Sequence, residues 1–173
     1  MSKVSFLIDD LSRQTPIATI GTHWLLITDQ VMGGVSEGTM TREVISGRLA
    51  IRMRGEVSLE NNGGFVQMAL DLAANNDGID ASHWRAMELD VYGGDQEYGV
   101  HLRTTELTKP WQSYRQSFQA LSHWQTVRLP FDRFSAHRTE VPLNLRQLRR
   151  LSIVAIGRAF SADLALGGAR FVV

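Results

Sequence analysis

RAMELDVYGGDQEYGVHLRT, residues 85–104, decides the fold. Met87, Leu89 and Val91 share one side of its first half, and Glu88 and Asp90 share the other. Beyond Gly93 and Gly94, Tyr98, Val100 and Leu102 alternate with Gly99, His101 and Arg103. A half-buried strand requires a period of two, because successive side chains point to opposite faces of a sheet. The same period continues outward. Leu49, Ile51 and Met53 alternate with Ala50, Arg52 and Arg54. Val66, Met68, Leu70 and Leu72 form one more apolar row, and Val127, Leu129 and Phe131 another. LSIVAIG (151–157) is apolar on both faces. It suits a central strand covered on both sides, although its pattern alone also admits a helix. ALGGARFVV (165–173) reads as a final strand, and one helical turn is predicted around 143–149, limited on its N-terminal side by Pro142.

Turn signals separate these runs, among them Gly47, Asn75-Asn76-Asp77-Gly78, Gly157 and Gly167-Gly168. Gly and Asn tolerate the positive φ that tight turns need. Eight or more short strands with turns between them predict an all-β fold, an antiparallel β-sandwich of jelly-roll or similar topology. The 173 residues suffice for one domain with a sizeable core, and a single domain is expected over 1–173.

Lys and Arg number 18, as do Asp and Glu, so bulk charge gives no reason to expect nucleic acid or an anionic membrane as partner. No cysteine is present, which removes disulfides and thiolate metal sites and fits a reducing compartment. The N-terminus, MSKVSFLIDDLSRQ, has the early Lys3 but no apolar stretch of signal-peptide type before Asp9 and Asp10. No apolar run approaches the roughly 20 residues of a membrane span. The expectation is a soluble, cytoplasmic protein without membrane insertion.

TDQVMGGVSEG (28–38) offers the first candidate chemistry. A phosphate loop would need a Lys and a following helix, and has neither here. A dinucleotide fingerprint would need a βαβ unit. Gly34-Val35-Ser36-Glu37-Gly38 matches the nucleophile-elbow pattern literally, but TMTREV follows, and that run is strand-like. The plainer reading is that Gly33 and Gly34 make close turns while Asp29 and Ser36 bond loop amides. NNGGF (61–65) echoes the motif. Asn61, Asn62, Gly63 and Gly64 either make a tight turn or floor a polar ligand pocket. The five histidines, at 23, 83, 101, 123 and 137, are scattered without metal-ligand spacing. Asp9-Asp10 and Glu88/Asp90 do not form a pair held across a cleft, as glycoside hydrolysis requires. No catalytic residue, metal site or cofactor is expected. KPWQSYRQSF (109–118) is the last candidate. Trp111, Tyr114 and Arg115, with Arg103 on the preceding strand, combine aromatic surface with guanidinium donors, as binding faces do. Alternatively, Trp111 and Phe118 fill the core, where Trp24, Trp84 and Trp124 are also expected.

WLLITDQVMGGVSEG (24–38) and NNGGF (61–65), followed by DVYGGDQEYGVHLRT (90–104), WQSYRQSF (111–118) and WQTVRLPFDRF (124–134), resemble in order the blocks of the complex I intermediate-associated protein 30 family. The resemblance implies a galactose-binding-like β-sandwich. Eukaryotic members act as mitochondrial assembly factors associated with intermediates of respiratory complex I, chaperone-like and without redox chemistry. No Arg-rich transit segment precedes the blocks, so a stand-alone, bacterial form is expected. What carries over is the loop pair: Asp29, Met32, Gly33, Gly34 and Ser36 with Asn61, Asn62, Gly63, Gly64 and Phe65. The expected function is a non-catalytic, chaperone-like module acting on a protein partner, such as a respiratory-complex subunit or assembly intermediate. The alternative is a carbohydrate-binding module.

Overall fold

The computed structural model describes residues 5–173; Lys3 of the N-terminal reading lies outside the described residues. Among the described residues, twelve strands form two antiparallel sheets packed face to face. The first runs β3 (Glu37–Ile45), β4 (Arg48–Val57), β12 (Phe160–Val172), β6 (Ala86–Gly93), β9 (Gln125–Pro130), with β1 (Ser5–Asp9) also paired to β12. The second runs β10 (Ser135–His137), β8 (Ser113–Ala120), β7 (Gln96–Thr104), β11 (Leu148–Ile156), β5 (Phe65–Asp71), β2 (Leu25–Thr28). This is the all-β sandwich that the alternation demands.

The apolar rows meet between the sheets. Met87, Leu89 and Val91 from one sheet and Val100, Leu102, Met68 and Leu70 from the other are fully buried in one core. LSIVAIG is a strand, β11, lying between β7 and β5 at the middle of its sheet. Leu151, Ile153 and Ala155 face the core, whereas Val154 is buried without joining it. The predicted helical turn is a short 3-10 turn, Leu145–Gln147, capped by the Asn144 side chain, which accepts from the Arg146 amide.

The tryptophans divide. Trp24 is core, its indole N–H donating to the buried Asp9 carboxylate at 2.8 Å. Trp84 is half-buried beside Phe6 and Phe171. Trp124 departs from the core expectation. It is outside the core cluster, with its N–H on the Ile45 carbonyl and the Arg48 guanidinium 5.1 Å from its ring centre. Phe118 fills the core as expected, but Trp111 is 54% exposed.

Candidate functional site

The two signature loops are tied together by one carboxylate. After β2, Asp29–Met32 form a 3-10 turn, and Gly33 leaves it in the left-handed region at φ 86. Asp29 is fully buried. Its Oδ1 accepts from the Ser36 amide at 2.9 Å. Its Oδ2 accepts from the Ser36 hydroxyl at 2.5 Å and from the amides of Gly64 and Phe65 at 2.5 and 3.2 Å. Ser36 Oγ in turn accepts from the Ser58 amide at 2.9 Å. Burial alone would push the Asp29 carboxyl up, but the Ser36 hydroxyl and the amides of Gly64, Ser36 and Phe65 outweigh it and hold it below its ordinary value. Gly34 and Gly63 flank it so closely that a Cβ on either would stand 2.4 or 2.5 Å from a carboxylate oxygen.

Asp29, Gly34, Ser36, Gly63, Gly64 and Phe65 therefore converge in a closed knot. Asn61 and Asn62 stand outside it, exposed and in the left-handed region at φ 56 and 58. The Ser36 hydroxyl is buried and committed to Asp29, and β3 follows it directly, so the elbow geometry is absent at this position.

The same loops present apolar side chains to solvent. Val31 is 73% exposed, Met32 65%, Leu59 52% and Val35 41%. Val31 and Met32 sit on the turn that Asp29 opens, Val35 precedes Ser36, and Leu59 follows Ser58, so each is anchored within two residues or so of the knot. Exposed apolar side chains carried on two loops that the knot joins make a candidate interaction surface.

The second group is arranged differently from its order in sequence. Tyr114 and Arg115 point to opposite faces of β8. Tyr114 is buried, its hydroxyl donating to the Val141 carbonyl at 2.6 Å. Arg103 donates from Nη1 to the carbonyls of Lys109 and Gln112, which holds the loop that carries Trp111. Arg115 lies on the outer face, opposite His101 of β7 and Ser135 of β10. A cavity of about 260 Å³ opens there, lined among others by Glu97, Gly99, His101, Arg115, Ser117 and Ile156. Ile156 pairs with Phe65 across β11 and β5, so the cavity reaches to within one residue pair of the knot. Burial, then Arg115 and His137, push the His101 imidazole down to about 3.

Val31, Val35, Leu59, His101 and Ile156 were not among the predicted site residues. The signals were present: apolar residues inside a Gly-rich loop, and a His in phase with Arg103. Cross-strand register, which alone sets His101 against Arg115, is not a local property of the sequence. Among the described residues, no three His, Asp or Glu side chains converge to hold a metal ion. No helix among them is long and apolar enough to cross a membrane.

The sequence model described as Complex I intermediate-associated protein 30 matches residues 15–166. No curated relative matches. Among solved structures, a family 11 carbohydrate-binding module from Clostridium thermocellum, in complex with a beta-1,3-1,4-mixed-linked tetrasaccharide, superposes with TM-score 0.77 at 14% identity, over 99% of this chain and 97% of that one. The family 11 module of the cellulosomal cellulase Lic26A-Cel5E of the same organism gives 0.76 at 14%, over 99% and 96%. The family 30 module of its cellulosomal cellulase Cel9D-Cel44B gives 0.59 at 13%, over 78% and 82%. At these identities the likeness is one of fold: a jelly-roll of the galactose-binding-like type.

Proposed function

Because the chain belongs to the complex I intermediate-associated protein 30 family, we propose that it is a non-catalytic, chaperone-like binding module, a single domain that acts by protein–protein contact in the cytoplasm. Its partner is a subunit or assembly intermediate of a respiratory complex. The observation that carries this reading is the apolar tip, Val31, Met32, Val35 and Leu59, mounted on the buried Asp29 knot. A rigid apolar tip loses little conformational entropy on docking, so most of its burial is available as affinity. Arg115 on the outer face of the second sheet, and the exposed Trp111 in the loop after β7 at the end of that sheet away from the tip, are further candidate contacts.

The test is recovery of partners by the tagged protein from its native host. Wild type is expected to recover a specific set. A variant with Val31→Ser and Met32→Ser is expected to lose that set, and Trp111→Ala to weaken it. Wild-type recovery no different from bare beads would defeat the proposal.

Carbohydrate binding is the second reading, supported by the fold likeness to carbohydrate-binding modules. Sugar-binding faces use flat aromatic platforms. On the outer face here, the cavity is lined by His101 and Arg115, and its one aromatic, Tyr98, belongs to the core. A glycan array probed at millimolar protein distinguishes the readings: specific signal there, with no protein recovered, favours the sugar.

A further inference from the structure

We propose that the outer face of the β10-β8-β7-β11-β5-β2 sheet receives an acidic segment of the protein partner, with a carboxylate seated against Arg115 and His101. This rests on the protein-binding role proposed above and names the chemistry of the partner.

Arg115 is half-buried, and its Nε donates to the buried Ser113 hydroxyl at 2.9 Å. That bond fixes the plane of the guanidinium and leaves its terminal nitrogens directed elsewhere. No carboxylate among the described residues forms an ion pair with it, whereas Arg52, Arg150 and Arg170 each have one. Its neighbours add to the deficit. Burial and then Arg138 weaken the charged form of Arg115, and burial, Arg115 and His137 hold His101 neutral. A half-buried guanidinium without a counter-ion is costly, and an incoming carboxylate with two oxygens matches its fork.

The shape of the cavity agrees. Its Gly99 and Ser117 side is low, leaving room for a side chain of Asp or Glu size. Glu97 stands four residues along β7 from His101, roughly 13 Å away at strand rise, and would repel a second anion at that end. One acid is therefore favoured over a polyanion, consistent with the equal totals of 18 basic and 18 acidic residues. Ile156 and Phe65 continue the face in apolar character towards the knot. Between them and the row of His101, Ser152 and Ala69 lies the pair Val154 and Gln67. An extended peptide carrying an acid flanked by apolar residues fits this series.

The experiment is an amide NMR titration of the full chain with a capped pentapeptide carrying one central glutamate between alanines and leucines, the same peptide with glutamine at its centre, trigalacturonate and inorganic phosphate. The glutamate peptide is expected to shift the amides of 99–103 and 115–117, and the glutamine peptide to leave them in place. Arg115→Gln should weaken binding of the glutamate peptide about tenfold or more, the usual scale for a charged hydrogen bond. Arg115→Lys should weaken it less, since charge stays while the fork is lost. Arg54→Gln, with the same loss of charge on the other sheet, should bind as wild type does. Equal binding by Arg115→Gln, shifts confined to another region, or tighter seating of trigalacturonate or phosphate than of the peptide would overturn the proposal. If native partners are recovered equally by wild type and Arg115→Gln, yet lost with Val31→Ser/Met32→Ser, this inference falls while the protein-binding role stands.

Discussion

Asp29 shows how one residue can organise two loops. It is buried, negatively charged, and satisfied by three amides and a hydroxyl, with no cation paired to it among the described residues. Asp29→Asn puts an amide donor among donors, and a buried group left without its partner costs roughly 1–3 kcal/mol. The expected loss is at least about 2 kcal/mol, lowering Tm by about 4–8 °C at this size. Ser36→Ala removes one of those donors and should cost less. A thermal melt of Asp29→Asn within a degree of wild type would mean the knot does not hold the loops. Asp90 makes the corresponding prediction for pH. Burial pushes its carboxyl up, but hydrogen bonds from Arg170, Thr126 and Arg48 pull it down to about 2, against an ordinary value of 3.8. A depressed carboxylate pKa stabilises the fold above the unfolded value, and that contribution is lost as pH falls through the folded one. Urea midpoints should therefore drop between about pH 4 and pH 2, and Asp90→Asn, already weaker at neutral pH, should drop less over that window. At this scale much was legible: an Asp and a Ser among glycines must find amide partners. That Ser58 would be one of them was not, because nothing in its local pattern sets it apart.

At the scale of elements, the alternation made the strands legible and left their neighbours hidden. MELDV and YGVHL announce two strands, but they lie in different sheets, β6 and β7, although only a short turn separates them. The step from one sheet to the other is a long-range decision, taken by which apolar rows must face each other. The closing edge of the sandwich shows what the rows alone cannot specify. Gly38 of β3 pairs with Gly55 of β4, and the ribbon they form presses on Val66 of β5. A Cβ on Gly55 would stand 2.3 Å from the Glu37 carbonyl oxygen, a backbone atom that cannot turn aside. Gly55→Ala should force β3 from β4 and cost about 3 kcal/mol, at the upper end of ordinary overpacking. Gly94→Ala is the contrast: its Cβ would meet nothing within 4 Å, and its melt should match wild type within error. Equal melts for the two variants would remove the packing account. The edge also positions the site, since β3 begins one residue after Ser36.

At the scale of the whole molecule, stability and interaction occupy different residues. The core is a closed set of apolar rows, and the Asp29 knot pins one end of it. The tip residues Val31, Met32, Val35 and Leu59 add little to either, because their side chains face solvent. Replacing Val31 and Met32, the two most exposed of them, by Ser should lower Tm by no more than about 2–4 °C, each exposed site contributing within about 0.5 kcal/mol. The same variant should lose recovery of the partner set. Salt separates the tip from the outer face. With net charge zero, the chain has no long-range field to steer an acidic partner, so any electrostatic share must come from the local Arg115 region. Recovery by wild type should then fall in part as salt rises from about 0.05 to 0.5 M, as the Debye length shrinks below the spacing of the charges. Arg115→Gln should start lower and show a flatter dependence, whereas Val31→Ser/Met32→Ser should be weak at every salt concentration. If the salt dependence of Arg115→Gln is as steep as that of wild type, the outer face does not supply the charge that the partner senses, and the apolar tip acts alone.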